Sequence, residues 1–464
     1  MNEVSTANSS WRMLIKERHL SRLLLLCFGV WLYAADSTLV ATILPVSIED
    51  IGGIPLLSWA YTLYQLGSVL TGAIAGLMVI RLGIAKSQMI VCSLYIMGCI
   101  ISAYAYDMHT MVFGRLLQGM GGGGLVSLAF IGGSTIFPKK FWLRIIAVIS
   151  GFWGVSSLCG PLIGGFFVYI GNWRGAFLLF AAQGLVAIIL ARILLNRLAQ
   201  NKKTTVQQAI PFSRLSLLGI SVLLICQAGV IKNIFFSIIV CMTGFSLLLF
   251  FLKKDTESEN RIFPRAIFNL NSNSGSGLIM ITSLFMGTIS FTVYGPLLMY
   301  IIFGVSPLIA GYIIALQSIG WTILAIITSG VRKNFEFVLI RMGAIFVCIS
   351  LLGLTLVMQS GPLWTIGLLS ISMGMGFGMS WSFVSKRIIA SVPQNERVQA
   401  SGSIPTFMRL AMALGSALSG IIANYSGFSE ASSILVARNV AFWSFASFLP
   451  LIFVGLFFAW RLSR

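Results

Sequence analysis

The residues with the clearest chemical potential are one carboxylate and two guanidinium groups that lie inside long apolar segments. Asp36 interrupts the run from Leu23 to Leu44, and Arg115 and Arg409 lie within two other apolar runs. A charge at membrane depth is costly, so a carboxylate there is by default a functional-site hypothesis. At 1.5 Å per residue, Asp36 and Arg409 both fall near the middle of an apolar layer roughly 30 Å thick, with Arg115 about 5 Å nearer one surface.

Together these three groups could act as a proton switch. Burial raises the pKa of a carboxyl group, whereas a nearby cation lowers it. No other acidic residue lies in the middle of an apolar run, so we expect ionised Asp36 to pair with Arg115 or with Arg409. A movement that separates the pair would favour proton uptake by Asp36, and its return would release the proton. The alternative interpretation is a purely structural ion pair between helices.

The elements that must position these groups are membrane-spanning helices. The chain is 57% hydrophobic and 9% charged, with a mean hydropathy of +0.95, whereas soluble proteins carry about 25% charged residues. A membrane-spanning barrel would instead alternate apolar and polar residues. We therefore predict an all-α polytopic membrane protein with fourteen spanning helices. They lie near 22–44, 57–80, 89–106, 111–136, 143–170, 174–196, 214–230, 234–252, 275–303, 308–328, 338–358, 362–384, 398–425 and 439–461.

The net charge of +19 could indicate nucleic-acid binding, but the placement of the charges excludes it. Most of the 31 Lys and Arg fall in alternate loops, and only Arg174, Lys232 and Arg438 fall in loops on the other side. This bias predicts that both chain termini are cytoplasmic. The seven Cys all lie in apolar segments without a CxxC motif or a neighbouring His, so neither a disulfide framework nor a metal site is predicted.

An internal repeat divides the chain. One constant shift along the sequence brings Gly119, Gly121 and Gly123 onto Gly374, Gly376 and Gly378. The repeat predicts two pseudo-symmetric six-helix bundles that run in the same direction across the membrane, with two additional helices between them. The predicted parts are a cytoplasmic tail (1–21), a first bundle (22–196), a linker with the two extra helices and a cytoplasmic loop (197–272), and a second bundle (273–464).

Several motifs resemble the signatures of the major facilitator superfamily. Asp36 and Thr38 lie in the first helix, and Arg115 with Gln118 lies in the fourth. Gly76, Arg81, Gly83 and Lys86 follow the second helix, and Gly160, Pro161, Gly164 and Gly165 lie in the fifth. The loop from Glu257 to Asn269 and the segment from Phe407 to Gly415 resemble its fourteen-helix drug/proton antiporter branch.

The resemblance implies a secondary transporter whose two halves rock around a substrate site at their interface. It assigns export by antiport to Gly160 and Pro161, and proton coupling to Asp36 with Arg115; we add Arg409 as the other candidate partner. One departure is Ile80, which stands where the family normally has an acidic residue that is thought to latch the outward-open state. In this chain, therefore, either the outward-open state is held less firmly, or transport uses a different balance of conformational states.

We expect the substrate to be a hydrophobic or cationic small molecule, because buried charge is scarce. The candidate cavity residues are Tyr33, Gln65, Gln118, Trp153, Phe291, Tyr294, Gln317 and Trp381, although core packing or bonds between helices would explain these residues as well. No cofactor is expected beyond a proton gradient, and we expect a monomer in the lipid bilayer of a bacterial inner membrane.

Three other functions remain open. A metabolite facilitator or importer would use Asp36 only structurally, and a transporter-like sensor would carry no flux. A membrane enzyme is disfavoured, because catalytic acids are lacking and the two His, His19 and His109, lie near segment ends.

Overall fold

Apolar helices form almost all of the structure. The computed structural model describes residues 20–138, 141–195, 211–258, 261–263, 272–329, 331, 333–393, 397–428 and 433–462, and these contain no β-strand. The all-α prediction is confirmed. Most of the predicted tail, residues 197–210 of the linker and most of the loop from Glu257 to Asn269 lie outside the described residues.

The first half of the molecule, called the N half, consists of five helices. They are α1 (Leu20–Ile51), α2 (Leu57–Ala103), α3 (Met108–Thr135), α4 (Trp142–Tyr169) and α5 (Trp173–Leu195). Two helices are inserted next, α6 (Phe212–Ala228) and α7 (Ile234–Glu257). The C half follows with α8 (Asn273–Phe303), α9 (Pro307–Thr328), α10 (Glu336–Val357), α11 (Leu363–Ser391), α12 (Arg397–Ala423), α13 (Ile434–Ala446) and α14 (Leu449–Leu462).

Local sequence signals explain where several of these helices begin. The Asp107 carboxylate accepts a hydrogen bond of 2.7 Å from the backbone N–H of Thr110 at the start of α3. Ser272 and Ser306 cap α8 and α9 in the same way, and Pro307 occupies the first turn of α9. Such caps satisfy backbone donors that have no partner inside the helix. The hydrogen bonds also hold the pKa of Asp107 below its usual value.

Twelve helical segments of the described residues are long and apolar enough to cross a membrane, judged by length and composition. One of them, from Ile54 to Ala103, has 50 residues. Helix α6 is shorter, with 17 residues, and α13 and α14 together form a single span from Ile434 to Leu462. The predicted count of fourteen spanning helices is not confirmed and stays a prediction.

Helix α2 is interrupted at Gly83, where the basic loop was expected. The helical hydrogen-bonding pattern continues through this region, but Gly83 has φ 78° and ψ 160°. A Cβ placed on Gly67 would lie 2.7 Å from the Met120 nitrogen, and one on Gly98 would lie 2.5 Å from the Gln118 nitrogen. Both parts of α2 therefore pack on the same stretch of α3, so the chain folds back on itself at Gly83.

Glycine residues pack neighbouring helices closely at equivalent positions in the two halves. A Cβ on Gly119 would collide with the Tyr64 carbonyl, and one on Gly374 would collide with the Gln317 carbonyl. Small residues let helix backbones approach closely enough for dispersion contacts to stabilise them in lipid. The same glycine row thus packs α3 onto α2 and α11 onto α9, as the repeat predicts.

The two halves touch at the helix ends that the charge bias predicts to be outside. Ser416 on α12 donates a hydrogen bond of 3.1 Å to the Ser58 carbonyl. Asn424 donates to the carbonyl of Pro55 at 2.9 Å and to that of Gly229 at 3.0 Å. Gly229 directly follows α6, so Asn424 of the C half is bonded both to this inserted helix and to the N half at this end.

Gly83→Ala tests whether the reversal in α2 depends on glycine. The observed φ and ψ are essentially confined to glycine, and a residue forced into such a region costs about 1–3 kcal/mol. We expect the purified protein to melt at a lower temperature. The matched control is Gly76→Ala on the same helix, where a Cβ meets nothing within 4 Å. Equal melting temperatures for the two variants would contradict this interpretation.

Candidate functional site

A buried ion pair joins α1 to α3. The side chain of Asp36 is 0% exposed and that of Arg115 is 1% exposed. A single guanidinium nitrogen, Nη1, lies 2.9 Å from Oδ1 and 3.0 Å from Oδ2 of Asp36. The structure therefore brings together Asp36 and Arg115, the first of the two predicted pairings.

A polar network holds Arg115 in place. The Gln118 Oε1 atom accepts hydrogen bonds from Arg115 Nη1 at 2.9 Å and from the Ser102 hydroxyl at 3.2 Å. The Gln118 amide nitrogen donates to Cys99 Sγ at 3.1 Å. Gln118, proposed from the sequence as a cavity residue, is 0% exposed and orients the guanidinium of Arg115.

Two stacked tyrosines lie beside the ion pair. The Arg115 guanidinium carbon is 4.0 Å from the centre of the Tyr64 ring. The Tyr64 ring stacks on that of Tyr33, with centroids 5.3 Å apart and an interplanar angle of 18°. The Tyr33 hydroxyl donates to Gln65 Oε1 at 3.1 Å, and the Trp153 ring lies 5.5 Å from that of Tyr33. Three of the predicted cavity residues, Tyr33, Gln65 and Trp153, thus meet here.

The second guanidinium approaches the same tyrosines from the C half. The guanidinium carbon of Arg409, on α12, is 5.0 Å from the centre of the Tyr33 ring. Its side chain is buried, and its Nε has no hydrogen-bond partner in the described part of the chain. Contacts run from Arg115 through Tyr64 and Tyr33 to Arg409, so the two guanidinium groups lie at the two ends of a tyrosine pair.

Helix α4 links the turn that carries Asp36 to the C half. A Cβ on Gly160 would lie 2.5 Å from the Ala35 carbonyl oxygen, and one on Gly164 would lie 3.0 Å from that of Leu39.

Helix α4 also meets α9 of the C half, where the Pro161 ring and Gly165 pack against Gly311 and Leu308. The Gly-Pro motif therefore contacts both the turn carrying Asp36 and the opposite half.

The other predicted cavity residues lie elsewhere. Phe291 and Tyr294 are fully buried and pack edge-on against Phe445 and Phe428, with centroids 6.4 and 5.8 Å apart. Trp381 is half-buried in an aromatic cluster of the C half, 5.7 Å from Trp321. Gln317 on α9 is also half-buried. The residues of the predicted basic loop lie around the break at Gly83, where Gly76, Arg81 and Lys86 are exposed.

Tyr64 is the main residue that the sequence did not single out. It precedes the predicted Gln65 by one position, but an aromatic residue near the middle of an apolar helix is more often a packing residue. Its role depends on how α1, α2 and α3 cross, because its ring lies between Tyr33 of α1 and Arg115 of α3. Trp321 and Phe285, which pack with Trp381, were missed for the same reason.

Gly160→Ala tests the contact between α4 and the Asp36 turn. Overpacking a tightly packed contact typically costs about 1–3 kcal/mol, so we expect a lower melting temperature for the purified protein. Gly151→Ala is the matched control on the same helix, because a Cβ there meets nothing within 4 Å. A Gly160→Ala protein as stable as the control would show that this approach is looser than the structure indicates.

Comparison with known proteins places the chain in a family. The model for the Major Facilitator Superfamily matches residues 26–416. A probable multidrug-efflux transporter of Mycobacterium tuberculosis is 28% identical over 93% of both chains. A multidrug efflux pump of Staphylococcus aureus is 23% identical over 85% of this chain and 87% of its own length.

Solved structures agree on the fold. The structure of a D-xylose-proton symporter superposes with a TM-score of 0.68 over 96% of this chain and 97% of its own, at 16% identity. The family consists of transporters rather than enzymes, and such proteins carry small molecules across the lipid bilayer. The chain belongs to the major facilitator superfamily and is a multi-pass membrane transporter.

Proposed function

We propose that this protein is a proton-coupled exporter that works by alternating access. The observation that carries the proposal is the buried pair of Asp36 and Arg115, whose side chains are 0% and 1% exposed. Breaking such a pair leaves an uncompensated buried charge and costs about 3–5 kcal/mol. When the pair separates, protonation of Asp36 avoids leaving its carboxylate charged and buried, and Arg115 keeps its hydrogen bond to Gln118.

The contacts of α4 supply a route from rocking of the halves to the ion pair. The α4 helix packs on the Ala35 carbonyl through Gly160 and on Gly311 and Leu308 of the C half through Pro161 and Gly165. A movement of the C half therefore pulls on the turn that carries Asp36. When the turn shifts away from Arg115, Asp36 takes up a proton, and when the pair forms again it releases the proton.

Export is the direction that the relatives favour. Two bacterial relatives are described as a multidrug-efflux transporter and a multidrug efflux pump, and both align over most of this chain. By the resemblance of its motif, the Gly160–Pro161 helix is also associated with antiport. We further propose a monomer without a bound cofactor in a bacterial inner membrane, with both termini in the cytoplasm and the proton gradient as its energy source.

The second candidate is a facilitator in which the pair never separates. Gln118 binds Arg115 from one side, and Gln118 is itself held by Ser102 and Cys99. A network of this kind also suits a permanent ion pair between helices. Relatives include a riboflavin transporter of Clostridioides difficile, 21% identical over 94% of this chain, so carriage of a metabolite is the matching alternative.

Asp36→Asn separates the two candidates. The amide keeps the shape of the side chain but carries no titratable proton, so we expect loss of proton-driven export with the protein still present in the membrane. The measurement is growth of a bacterial host that lacks its own drug pumps, across a panel of toxic aromatic compounds. We expect the Asp36→Asn variant to give no protection against any compound from which the wild-type protein protects the host.

The control is Asp50→Asn, which removes a carboxylate paired with Arg174 at an exposed site. It should protect the host like the wild type. Normal protection by Asp36→Asn would exclude proton coupling through this residue and favour the facilitator. A wild-type protein that protects against no compound would contradict export.

A further inference from the structure

Arg409 stands out among the described cations because it is buried and no carboxylate of the described residues pairs with it. The buried arginines of the described residues are Arg115, Arg214 and Arg409. Arg115 pairs with Asp36 at 2.9 Å, and Arg214 pairs with Asp255 at 2.5 Å. Within the same part of the chain, no acidic group lies within ion-pair distance of Arg409, and its Nε lacks a hydrogen-bond partner.

The position of Arg409 places this charge at the interface of the halves. The residue lies on α12 of the C half, but its guanidinium lies against Tyr33 of α1, 5.0 Å from the ring centre. A Cβ placed on Gly72 of α2 would lie 3.5 Å from Arg409 Nη1 and 3.2 Å from the Ser127 hydroxyl. The guanidinium therefore reaches across to α1 and α2 of the N half, at the interface where a transporter of this fold holds its substrate.

A buried guanidinium needs an anion. Removing a charge from water is strongly unfavourable unless the charge is paired and hydrogen-bonded. Contact with an aromatic face compensates for this loss only in part. Among the buried arginines of the described residues, Arg115 and Arg214 are paired within the protein, so Arg409 is the one available to a ligand.

Tyr33, which contacts Arg409, and Trp153, which contacts Tyr33, indicate the chemistry of that ligand. The rings of Tyr33 and Trp153, 5.5 Å apart, provide aromatic surface, and the Trp153 ring is only half-buried. Guanidinium groups bind planar carboxylates through two parallel hydrogen bonds. We propose that Arg409 binds the carboxylate of an aromatic acid, whose ring packs against Tyr33 and Trp153.

This inference rests on the proposed transport function and narrows its substrate class. The sequence led us to expect a hydrophobic or cationic compound because buried charges are few. Within the described residues, Asp36 is paired with Arg115, and buried Arg409 has no carboxylate partner, which favours an anionic substrate. Because Tyr64 and Tyr33 lie between the two guanidinium groups, the substrate carboxylate and that of Asp36 have separate cationic partners in this conformation.

The test is binding of two probes that differ in one charge. Coumarin-3-carboxylate and coumarin-3-carboxamide share the same fused ring, but only the former is an anion at neutral pH. We expect purified wild-type protein to bind the carboxylate at least about tenfold more tightly, measured by equilibrium dialysis, because hydrogen bonds to a charged group are stronger than those to a neutral one. Equal affinity, or a preference for the amide, would overturn the proposal without any variant.

Variants then locate the effect. Arg409→Gln should lose about tenfold or more in affinity for the carboxylate and leave amide binding unchanged. Arg409→Lys should retain part of the preference. The matched control is Arg341→Gln, which removes another cation of the C half that lies 4.4 Å over the Trp460 ring. An equal loss for both probes in Arg409→Gln would assign Arg409 a structural role and contradict the proposal.

The Asp36→Asn protein separates this inference from the transport mechanism. We expect it to keep the preference for the carboxylate over the amide, even though it no longer exports. Normal export by Asp36→Asn together with a preference for the carboxylate would reject proton coupling and leave the anion site standing. Loss of the preference in Asp36→Asn would show that Arg409 does not act as an independent site.

Discussion

The structure depends on the cost of holding charge away from water. Asp36 and Arg115 are both buried, and their separation by even a small movement removes an attraction that water cannot replace. Glycine packing, the Gln118 network and the tyrosine stack all surround this one pair. The pair is therefore either a permanent ion pair that holds α1 against α3 or the site whose protonation couples transport to the proton gradient.

The tyrosine pair connects this chemistry to the opposite half. Tyr33 lies on α1 one helical turn before Asp36, and its ring contacts Tyr64, Trp153 and the guanidinium of Arg409. Helix α4 approaches the same turn from its other side through Gly160. A rocking movement of α12 would reach the Asp36 turn through Arg409 and Tyr33. A movement of α9 would reach the same turn through α4.

Much of this arrangement could be predicted from the sequence, because it depends on composition and spacing. The helices are evident from their apolar runs, and Asp36 is evident because a charge is rare in such a run. The sequence left open whether Arg115 or Arg409 would be its partner, since helix depth alone places both within reach. The choice of Arg115 depends on how α1 and α3 cross, which is set by glycine contacts between helices.

Other features lie beyond what one sequence can provide. Gln118 follows Arg115 by three residues and faces the same side of α3, but whether it lines a cavity or binds the guanidinium depends on Ser102 and Cys99 of α2. Phe291 and Tyr294 could face the interface or the interior of the C half, and side-chain direction on an apolar helix gives no sign of which. The break at Gly83 replaces an expected loop because a single glycine residue provides the reversal.

The central claim is that protonation of Asp36 is controlled by the contact between the halves. The most direct measurement is infrared difference spectroscopy of the carboxyl C=O stretch as the pH is lowered. The halves would be locked by a disulfide between Gly165→Cys and Leu308→Cys, after replacement of the native cysteines, since a Cβ on Gly165 would lie 3.0 Å from that of Leu308. We predict a protonation band, absent in Asp36→Asn, that appears in the reduced protein and is suppressed in the locked one. The same band in both states, or in neither, would contradict the account.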